Sequence, residues 1–460
     1  MSGMAEVSPK YLAEVASSAI PVGYKQTEVG LIPEDWLILT LGDIAELTSS
    51  KRIFESDYVK SGVPFYRGQE ISSLLNGSVI ENVIYISQAK FNELAARFGA
   101  PKAGEILITA VGTLGNSFLV ESNDPFYFKD GNLIWLRKIK NCQPKYLIKQ
   151  LNYNKNRVLE CAIGSSQKAL TMVSLSPLLI PVPSKIEEQT TIANALSDVD
   201  ALISELEKLI AKKQAIKTAT MQQLLTGRTR LPQFSLREDG TPKGTKPSEL
   251  GEIPEDWEVK AYGEVFTFLS TSTNSRADLS EEGDFGYVHY GDIHTEWNNK
   301  LDLNKERLPR ISKNIVSSAF VMDGDLIMAD ASEDYEGIGK TVEVFNVGDK
   351  QLVAGLHTFL LRDKEKVLAD GFRGYLHSIP AVKSSFDRLA TGMKVYGISK
   401  NNLSSVCFPV PSLEEQTAIA AILSDMDAEI QALEQRLGKT RQIKQGMMQE
   451  LLTGRIRLPI

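Results

Sequence analysis

Cysteine and histidine are scarce in this sequence, which has three and four of them among 460 residues. The cysteines, Cys142, Cys161 and Cys407, lie far apart and form no C-x-x-C pair. This pattern argues against a disulfide framework or a zinc site and favours a reducing, cytoplasmic environment. Runs of about eighteen apolar residues are also absent, so no transmembrane helix is expected. The N-terminal residues have no basic cluster ahead of apolar ones and do not resemble a signal peptide.

An excess of positive charge is missing as well. The net charge is −7, which disfavours nonspecific coating of nucleic acid, because such binding needs a strong positive field. The charge is uneven, however. Residues 37–180 carry 16 Lys and Arg against 12 Asp and Glu (+4), whereas residues 258–408 carry 17 against 22 (−5). A local patch that binds phosphate is therefore still possible.

No complete catalytic motif is present. Three stretches resemble fragments of enzyme motifs: a phosphate loop at 339–341, an adenine methyltransferase motif at 124–127 and a nuclease motif at 258–260. Each lacks its companion residues, so surface turns or strand-edge turns explain them better. His289 and His294 are separated by a spacing that suits metal ligands on neither a helix nor a strand. The residue types therefore predict a protein without a catalytic site of its own.

What the sequence does contain is a repeat that runs through the whole chain. The nonapeptide LLTGRTRLP at 224–232 returns as LLTGRIRLP at 451–459. At the front of each half, KQTEVGLIPEDW (25–36) is echoed by KPSELGEIPEDW (246–257). The segments PVPS and EEQT also occur twice, at 181–184 and 187–190 and again at 409–412 and 414–417. Such long-range self-similarity indicates two copies of one architectural unit.

A long helix is predicted in each half, directly after the PVPS segment. Its apolar residues are spaced alternately by four and three, which is the heptad seam of a coiled coil. Ser184 and Ser412 are candidate N-caps, and Gly227 and Gly454 follow the predicted helix ends. We expect the two helices to pack antiparallel within one chain and to relate its halves by a pseudo-twofold axis. The alternative is packing of each helix on its own domain or on another chain. The seams consist of Ile192, Leu196, Val199, Ile203, Leu206 and Ile210, and of Ile419, Leu423, Met426, Ile430, Leu433 and Leu437.

Between the shared motifs lie segments rich in glycine, β-branched and aromatic residues. The stretches at 102–108 and 322–328 each predict a glycine turn that leads into a buried strand. The predicted fold is therefore α+β, with two similar mixed α/β domains joined by two long antiparallel helices in an intrachain coiled coil. The predicted segments are an N-terminal arm (1–22), a first domain (23–180), a central long helix (181–228), a linker (229–245), a second domain (246–408) and a C-terminal long helix with a tail (409–460).

Together, these duplicated motifs resemble the DNA-specificity subunit of Type I restriction–modification systems, over nearly the whole chain. The resemblance implies two target-recognition domains that each read one half of a split, asymmetric sequence in double-stranded DNA. It also implies that the helices act as a spacer and a docking surface. Catalysis and cofactors would belong to partners. Two methyltransferase subunits would carry S-adenosylmethionine and methylate adenine, and restriction subunits would use ATP and Mg²⁺ to translocate and cleave DNA.

Polar, loop-like segments of both domains supply candidate DNA-contacting residues, because Arg, Lys, Asn, Gln and hydroxyl groups commonly contact bases and phosphates. A solvated loop position is the alternative for each of them, and a turn-forming role is the alternative for Asp292. Trp36 and Trp257 are expected to anchor their domains and not to stack on bases. The candidates are Lys51, Arg52, Tyr66, Arg67, Gln69, Ser165, Ser166, Gln167 and Lys168 in the first domain, and Asn274, Arg276, Tyr290, Asp292, His294, Lys394 and Tyr396 in the second.

Four helix residues are candidates for contacts with partner subunits. Gln189, Asp198 and their copies Gln416 and Asp425 recur at positions that the heptad seam does not require. We predict that they lie on the outer helix faces; helix capping and solvation are the alternative. Two other functions are compatible with the sequence, namely a coiled-coil adaptor that does not bind DNA and the specificity subunit of a methylation-only system.

Overall fold

The computed structural model describes residues 20–459 except 76, 166–167, 334–336 and 393–394. The chain divides into two compact units. The first unit runs to Leu206 and resumes at Arg436, and the second unit is Glu207–Gln435. Each unit therefore contains one of the two predicted domains and a part of each long helix. The predicted segment boundaries differ from this division, because they keep each long helix whole.

The first unit is built on short strands and short helices that precede the first long helix. Its strands are β1 (Tyr24–Thr27), β2 (Gly30–Pro33), β3 (Leu37–Thr40), β4 (Glu46–Thr48), β5 (Tyr58–Val59), β6 (Val63–Tyr66), β7 (Ile84–Ile86), β8 (Ile106–Thr109), β9 (Ser117–Leu119), β10 (Tyr127–Phe128), β11 (Leu133–Arg137) and β12 (Leu179–Val182). Its helices are α1 (Leu41–Ile44), α2 (Gly68–Leu75), α3 (Gln88–Phe98), α4 (Pro144–Tyr153), α5 (Lys155–Glu160) and α6 (Met172–Leu175), followed by the first part of α7 (Ile186–Leu224).

Two four-stranded sheets, with the orders β10-β6-β7-β5 and β4-β11-β8-β9, organise the described part of this unit. All four residues of β8 are buried, which is typical of a strand covered on both faces. The main core joins this second sheet to α4 and to the beginning of α7, through residues such as Ile108, Tyr146 and Ile192. Trp36 is fully buried in the same core, so its predicted anchoring role is confirmed.

The second unit repeats this plan after the linker. Its helices are α8 (Pro232–Ser235), α9 (Tyr262–Val265), α10 (Tyr290–Thr295), α11 (Pro380–Leu389) and α12 (Lys400–Ser404). The unit also contains the part of α13 (Leu413–Leu451) that ends at Gln435. Its strands are β13 (Thr245–Ser248), β14 (Gly251–Pro254), β15 (Glu258–Ala261), β16 (Phe266–Leu269), β17 (Phe285–Val288), β18 (Lys300–Asp302), β19 (Arg310–Ile311), β20 (Leu326–Ala329), β21 (Ala331–Ser332), β22 (Thr341–Phe345), β23 (Leu352–Ala354), β24 (Thr358–Asp363), β25 (Tyr396–Gly397) and β26 (Cys407–Val410).

The central strand pairs of the two units are equivalent. Strand β8 pairs antiparallel with β11 in the first unit, and β20 pairs antiparallel with β24 in the second. Each inner strand follows a glycine in the left-handed region, Gly104 with φ 89° and Gly324 with φ 80°. Both predicted turns into buried strands are therefore confirmed. The second unit differs by the longer sheet β16-β24-β20-β22-β18 and by the sheet β19-β17-β23.

The long helices α7 and α13 have 39 residues each. In the first unit, Lys444 Nζ of α13 lies 2.6 Å from Asp200 Oδ1 of α7, and Arg457, beyond the end of α13, binds Glu188 near the start of α7. The residue numbers thus fall along one segment as they rise along the other, so the two segments are antiparallel there.

The same direction is found within the second unit. Lys213 Nζ lies 2.7 Å from Glu429 Oε1, and Lys217 forms an ion pair with Asp427. The predicted seam lies on the packed faces, because each of its residues is buried or half-buried. The predicted combination of mixed α/β domains and antiparallel long helices is therefore confirmed.

The duplicated nonapeptide closes each unit through its second arginine, which binds two acids. In the first unit, Arg457 binds Glu188 and Asp35, with Nη1 2.9 Å from Asp35 Oδ1. In the second unit, Arg230 Nη2 lies 2.6 Å from Glu415 Oε2 and Nη1 lies 2.8 Å from Asp256 Oδ1. The repeat is therefore structural, since each helix end docks beside the beginning of the opposite helix.

Electrostatics and packing reinforce this closure in the second unit. Burial opposes ionisation of Asp256, but hydrogen bonds from Arg230 and Lys243 outweigh it and lower the pKa of Asp256 to about 2. Trp257 Nε1 donates to Glu415 Oε2 at 2.9 Å, and Trp257 is 1% exposed. The second tryptophan therefore anchors its domain as predicted.

Candidate nucleic-acid interface

The end of strand β6 carries the first group of residues predicted to contact DNA. Tyr66 ends the strand, its ring centroid lies 5.2 Å from that of Phe126, and burial raises its pKa. Arg67 follows directly, and Gln69 is exposed in the first turn of α2. The turn from strand β6 into helix α2 thus carries three polar residues within four positions.

Arg67 is oriented by a buried acid. Glu70 is 4% exposed and accepts hydrogen bonds from Arg67 N at 2.8 Å and Arg67 Nε at 3.1 Å. Burial opposes ionisation of Glu70, but these hydrogen bonds outweigh it and lower its pKa. The guanidinium therefore has a fixed direction, and any DNA contact would use the N–H groups that Glu70 leaves available.

Two basic residues lie after strand β4 of the same unit. Lys51 Nζ lies 4.9 Å from the ring centroid of Phe98. Arg52 has a 71% exposed side chain, and its Nε lies 3.2 Å from Asp130 Oδ2. Exposed ion pairs of this kind are weak, so both cations are accessible to a phosphate.

A short polar loop lies near the end of β8. An antiparallel bridge between Ile163 and Ala169 closes this loop, and Leu170 N donates to Ala110 O at 2.9 Å. Ser165 and Lys168 are exposed. The loop is therefore held against the sheet with these polar side chains outward. Its other two predicted residues, Ser166 and Gln167, lie outside the described residues.

Helix α10 of the second unit carries three predicted residues. Tyr290 opens the helix, and His294 Nε2 lies 3.0 Å from Ala331 O. Asp292 is 8% exposed and forms an ion pair with Arg276. This pair resembles that of Arg67 and Glu70, since a buried acid in the first helical turn again holds an arginine. Asp292 is therefore engaged with Arg276, and base contact through its carboxylate remains a prediction.

Asn274 is half-buried beside the same face. Its Oδ1 accepts a hydrogen bond from the Ser272 hydroxyl at 2.6 Å. Its carbonyl oxygen accepts another from the Tyr287 hydroxyl at 2.5 Å. These bonds fix the segment that leads to Arg276.

The second unit has a loop equivalent to that at 163–169. A bridge between Thr391 and Gly397 closes it, and Ile398 N donates to Asp330 O at 3.0 Å. Tyr396 lies in β25, which pairs with β21. The predicted correspondence of the two loops is therefore present in the backbone pairing. Lys394 lies outside the described residues.

The structure gathers Tyr290, His294 and Tyr396 around strand β21. The ring centroids of Tyr290 and His294 are 6.1 Å apart, His294 contacts the carbonyl oxygen of Ala331, and Tyr396 is opposite Ser332 in the strand pair. Residues that are distant in sequence thus form one polar and aromatic face.

Two further residues on this face were missed by the sequence analysis. The ring centroid of His357 lies 5.5 Å from that of Tyr290, and its Nδ1 lies 3.4 Å from Asp330 Oδ1. Burial raises the pKa of Asp330, and His357 opposes this rise. A usable signal existed, because the chain's four histidines all fall in its second half.

Backbone hydrogen bonds align the two faces residue by residue. Ala110 N donates to Asn132 O at 2.8 Å in the first unit, and Asp330 N donates to His357 O at 3.1 Å in the second. Ala110 therefore corresponds to Asp330, and Asn132 corresponds to His357. Equivalent backbone positions therefore carry Ala110 and Asn132 in the first unit and Asp330 and His357 in the second.

The predicted partner-contacting residues divide into two kinds. Asp198 and Asp425 are exposed on the long helices, as the prediction requires. Gln189 and Gln416 are only 1% and 0% exposed, so their predicted placement on the outer helix faces was wrong.

The physical reason is a set of backbone hydrogen bonds to the adjacent domain. Gln189 Oε1 accepts from Gln143 N at 2.6 Å, and Gln416 Oε1 accepts from Ala369 N at 2.8 Å. Each amide also donates to a carbonyl oxygen of the PVPS segment. These glutamines fasten a helix to its own domain.

Neither a metal centre nor a membrane helix is found in the described part of the chain. No group of three or more His, Cys, Asp or Glu side chains among those residues is placed to hold a metal ion. None of the helices described is both long and apolar enough to span a membrane.

This arrangement defines a class of protein in which one α/β scaffold occurs twice, with antiparallel long helices and unlike polar faces. A family model described as "Type I restriction modification DNA specificity domain" matches residues 33–218 and 254–445. The two matches cover most of both halves, and the chain belongs to this family.

Curated relatives from Methanocaldococcus jannaschii are similar over nearly their whole length. One has a name that provisionally assigns it as the MjaX specificity subunit of a type I restriction enzyme. It is 29% identical over 95% of this chain and 97% of its own. The MjaVIII specificity subunit of a type I restriction enzyme is 24% identical over 93% of this chain and 94% of its own.

Solved structures share the fold. The S subunit of a type I restriction–modification system from M. genitalium superposes with a TM-score of 0.54, at 15% identity, over 90% of this chain and 96% of that chain. A chain from a structural study of type I complex assembly superposes with a TM-score of 0.52, at 16% identity, over 92% and 99%. These two chains therefore share the fold of this chain.

Proposed function

We propose that this chain reads an asymmetric, bipartite sequence in double-stranded DNA, with one half-site for each unit. The observation that carries the proposal is the contrast between a repeated scaffold and unlike faces. The closing arginines, the buried glutamines and the strand pairing recur in both units, whereas Ala110 and Asn132 are replaced by Asp330 and His357 at equivalent positions. Two readers that differ in their polar groups suit two different half-sites.

The proposed contacts divide by chemistry. Lys51, Arg52 and Lys168 suit phosphates, which position a protein on DNA without reading its sequence. Arg67 and Gln69 suit base edges in the first half-site, since Glu70 fixes the guanidinium as a reading group requires. In the second unit the reading group would come from the face around β21. The predicted members of these contact sets are Tyr66, Ser165, Ser166 and Gln167, and Asn274, Arg276, Tyr290, Asp292, His294, Lys394 and Tyr396.

We also propose that the helices dock two copies of a methyltransferase subunit. Exposed residues recur at equivalent positions of the two helices, among them Glu187 with Glu414 and Asp198 with Asp425. A repeated exposed surface suits two copies of one partner, just as unlike faces suit unlike half-sites. The partners would bring S-adenosylmethionine for adenine methylation, and restriction subunits would bring ATP and Mg²⁺ for cleavage. This chain would remain without catalysis.

The reading function is tested by domain exchange. The chain is reconstituted with its methyltransferase, and methylated adenines are mapped by sequencing before and after residues 37–180 are exchanged for the equivalent segment of a relative. We expect one half-site to change and the other to stay, because each unit carries its own polar face. A change in both half-sites, or methylation without sequence preference, would contradict the proposal.

The docking function is tested by charge reversal on the exposed helix surface. Asp198→Arg and Asp425→Arg are each expected to remove one bound methyltransferase, and the double variant to remove both, as measured by native mass spectrometry. Lys208→Glu, at another exposed position of α7, serves as the control and should retain both copies. Retention of both copies by the double variant would exclude this surface as the docking site.

A further inference from the structure

The imidazole of His357 occupies an unusual place in the second unit. It is 51% exposed, and its Nδ1 lies 3.4 Å from the carboxylate of Asp330. Its backbone has φ 55°, a left-handed conformation that is costly for a residue with a side chain but is adopted by histidine more readily than by most residues. Such conformations persist where the surroundings enforce them, and they cluster at binding sites.

The surroundings of His357 come from three separate elements. Tyr290 of α10 packs edge-on against the imidazole, with an angle of 80° between the rings. Asp330 lies between β20 and β21, and its carbonyl oxygen accepts the hydrogen bond that ties down the loop at 391–397. His357 itself precedes β24. A side chain oriented by a carboxylate and an aromatic ring keeps its outer edge free for a ligand.

The hydrogen-bonding groups of the imidazole limit the class of ligand that its outer edge can bind. The Asp330 carboxylate beside Nδ1 orients the ring. In the imidazolium form both ring nitrogens carry a proton, so Nδ1–H faces the carboxylate and Nε2–H is the donor on the outer edge. Acceptors for such a donor in the major groove are purine N7, guanine O6 and thymine O4, and N7 is the acceptor that both purines present. The first unit has Ala110 and Asn132 at the positions of Asp330 and His357. A contact made by this His–Asp pair would therefore read the second half-site alone.

We propose that His357, oriented by Asp330, is a specificity-determining residue that donates a hydrogen bond to a purine edge in the second half-site. The inference rests on the proposed DNA-reading function and names one contact within it. Tyr290 supports the ring. Asp330 is a positioning residue, because it acts through His357.

The experiment uses the full chain with its methyltransferase and a DNA duplex that contains the methylated target. Affinity is measured for the target and for duplexes in which one purine at a time is replaced by its 7-deaza analogue, which lacks N7. We expect one 7-deaza position in the second half-site to weaken binding of the native chain by about 5- to 150-fold, the range for loss of one base contact.

Variants then connect that position to His357. His357→Gly should reduce affinity to the same extent and lose all further sensitivity to that 7-deaza substitution, as contacting partners do in a double-mutant cycle. Because φ is 55°, glycine suits this backbone, so this variant should keep its thermal stability. Asp330→Ala, which introduces the residue found at the equivalent position of the first unit, should show a partial loss of affinity and of sensitivity to the 7-deaza substitution.

Controls separate the failure of this inference from the failure of the proposed function. Glu365→Gln lies beyond the opposite end of β24 and should bind like the native chain, and none of the variants should alter reading of the first half-site. If His357→Gly stays fully sensitive to every 7-deaza position, or weakens all sequences equally with a smaller salt slope, the base contact is overturned. If the native complex binds every duplex equally, the DNA-reading function itself fails.

Discussion

At the scale of single residues, stability depends on a few buried acids that are held by arginine. Glu415 is 1% exposed and receives two hydrogen bonds from Arg230 and one from Trp257. Arg230→Ala would leave this buried carboxylate without its cation. Loss of one partner of a buried pair costs about 3–5 kcal/mol, so we expect a decrease of that size in the free energy of unfolding, measured with urea.

The matched control is another arginine of the same unit. Arg237 lies 2.7 Å from Glu255, but its side chain is 45% exposed. An exposed pair contributes about 0–1 kcal/mol, so Arg237→Ala should be nearly neutral. Equal losses in the two variants would show that burial of Glu415 is not what makes Arg230 important.

The roles of single residues were predictable only where a local sequence pattern determines them. Trp36 and Trp257 were recognised as anchors, because an apolar ring at a repeated domain entrance has few other uses. Gln189 was misplaced, because helical periodicity puts it away from the seam but does not reveal that Gln143 N lies against it. His357 was missed because its partner Asp330 is remote in sequence.

At the scale of elements, replacement of glycine by alanine should have opposite effects within helix α13 and just after its end. Gly438 lies within the helix, and a Cβ there would meet no atom within 4 Å. Gly438→Ala should therefore stabilise the chain by about 0.5–1 kcal/mol, through helix propensity alone. Gly454 follows the helix with φ 72°, and a Cβ there would lie 2.5 Å from Pro33 Cδ.

Gly454→Ala should accordingly destabilise the chain by more than about 2 kcal/mol, since left-handed strain and overlap with Pro33 add. Differential scanning calorimetry of the two variants measures both signs. Gly240→Ala provides the intermediate case, with φ 81° and no atom near the added Cβ, and should cost only the strain. A neutral Gly454→Ala would mean that the helix end is not docked as described.

Element types were largely readable from the sequence, whereas their pairing was not. The glycine turns before β8 and β20 and the heptad seams of α7 and α13 were visible, because local conformation and periodicity determine them. The sheet orders, such as β10-β6-β7-β5, depend on contacts between segments remote in sequence. The faces that those contacts create were therefore predicted only in part.

At the scale of the whole molecule, the proposed function implies that the length of the long helices sets the number of base pairs between the two half-sites. A helix of 39 residues is about 58 Å long. One added heptad lengthens it by roughly 10 Å, or about three base pairs at about 3.4 Å per pair. Helix length should therefore translate into the number of unread base pairs.

The last prediction is a paired insertion that tests this relation. One heptad is inserted between Leu209 and Ile210 of α7 and another between Glu434 and Gln435 of α13. The two sites lie close to the hydrogen bond that Gln214 Nε2 donates to Glu434 Oε1 at 3.4 Å. Seven residues preserve the apolar seam, so the chain should still fold and bind its methyltransferase. We expect sequencing of methylated DNA to show both half-sites unchanged and separated by about three more base pairs. A heptad in one helix alone would mismatch the seams and should abolish methylation. An unchanged spacer in the paired variant would contradict the assignment of the helices as the ruler between the half-sites.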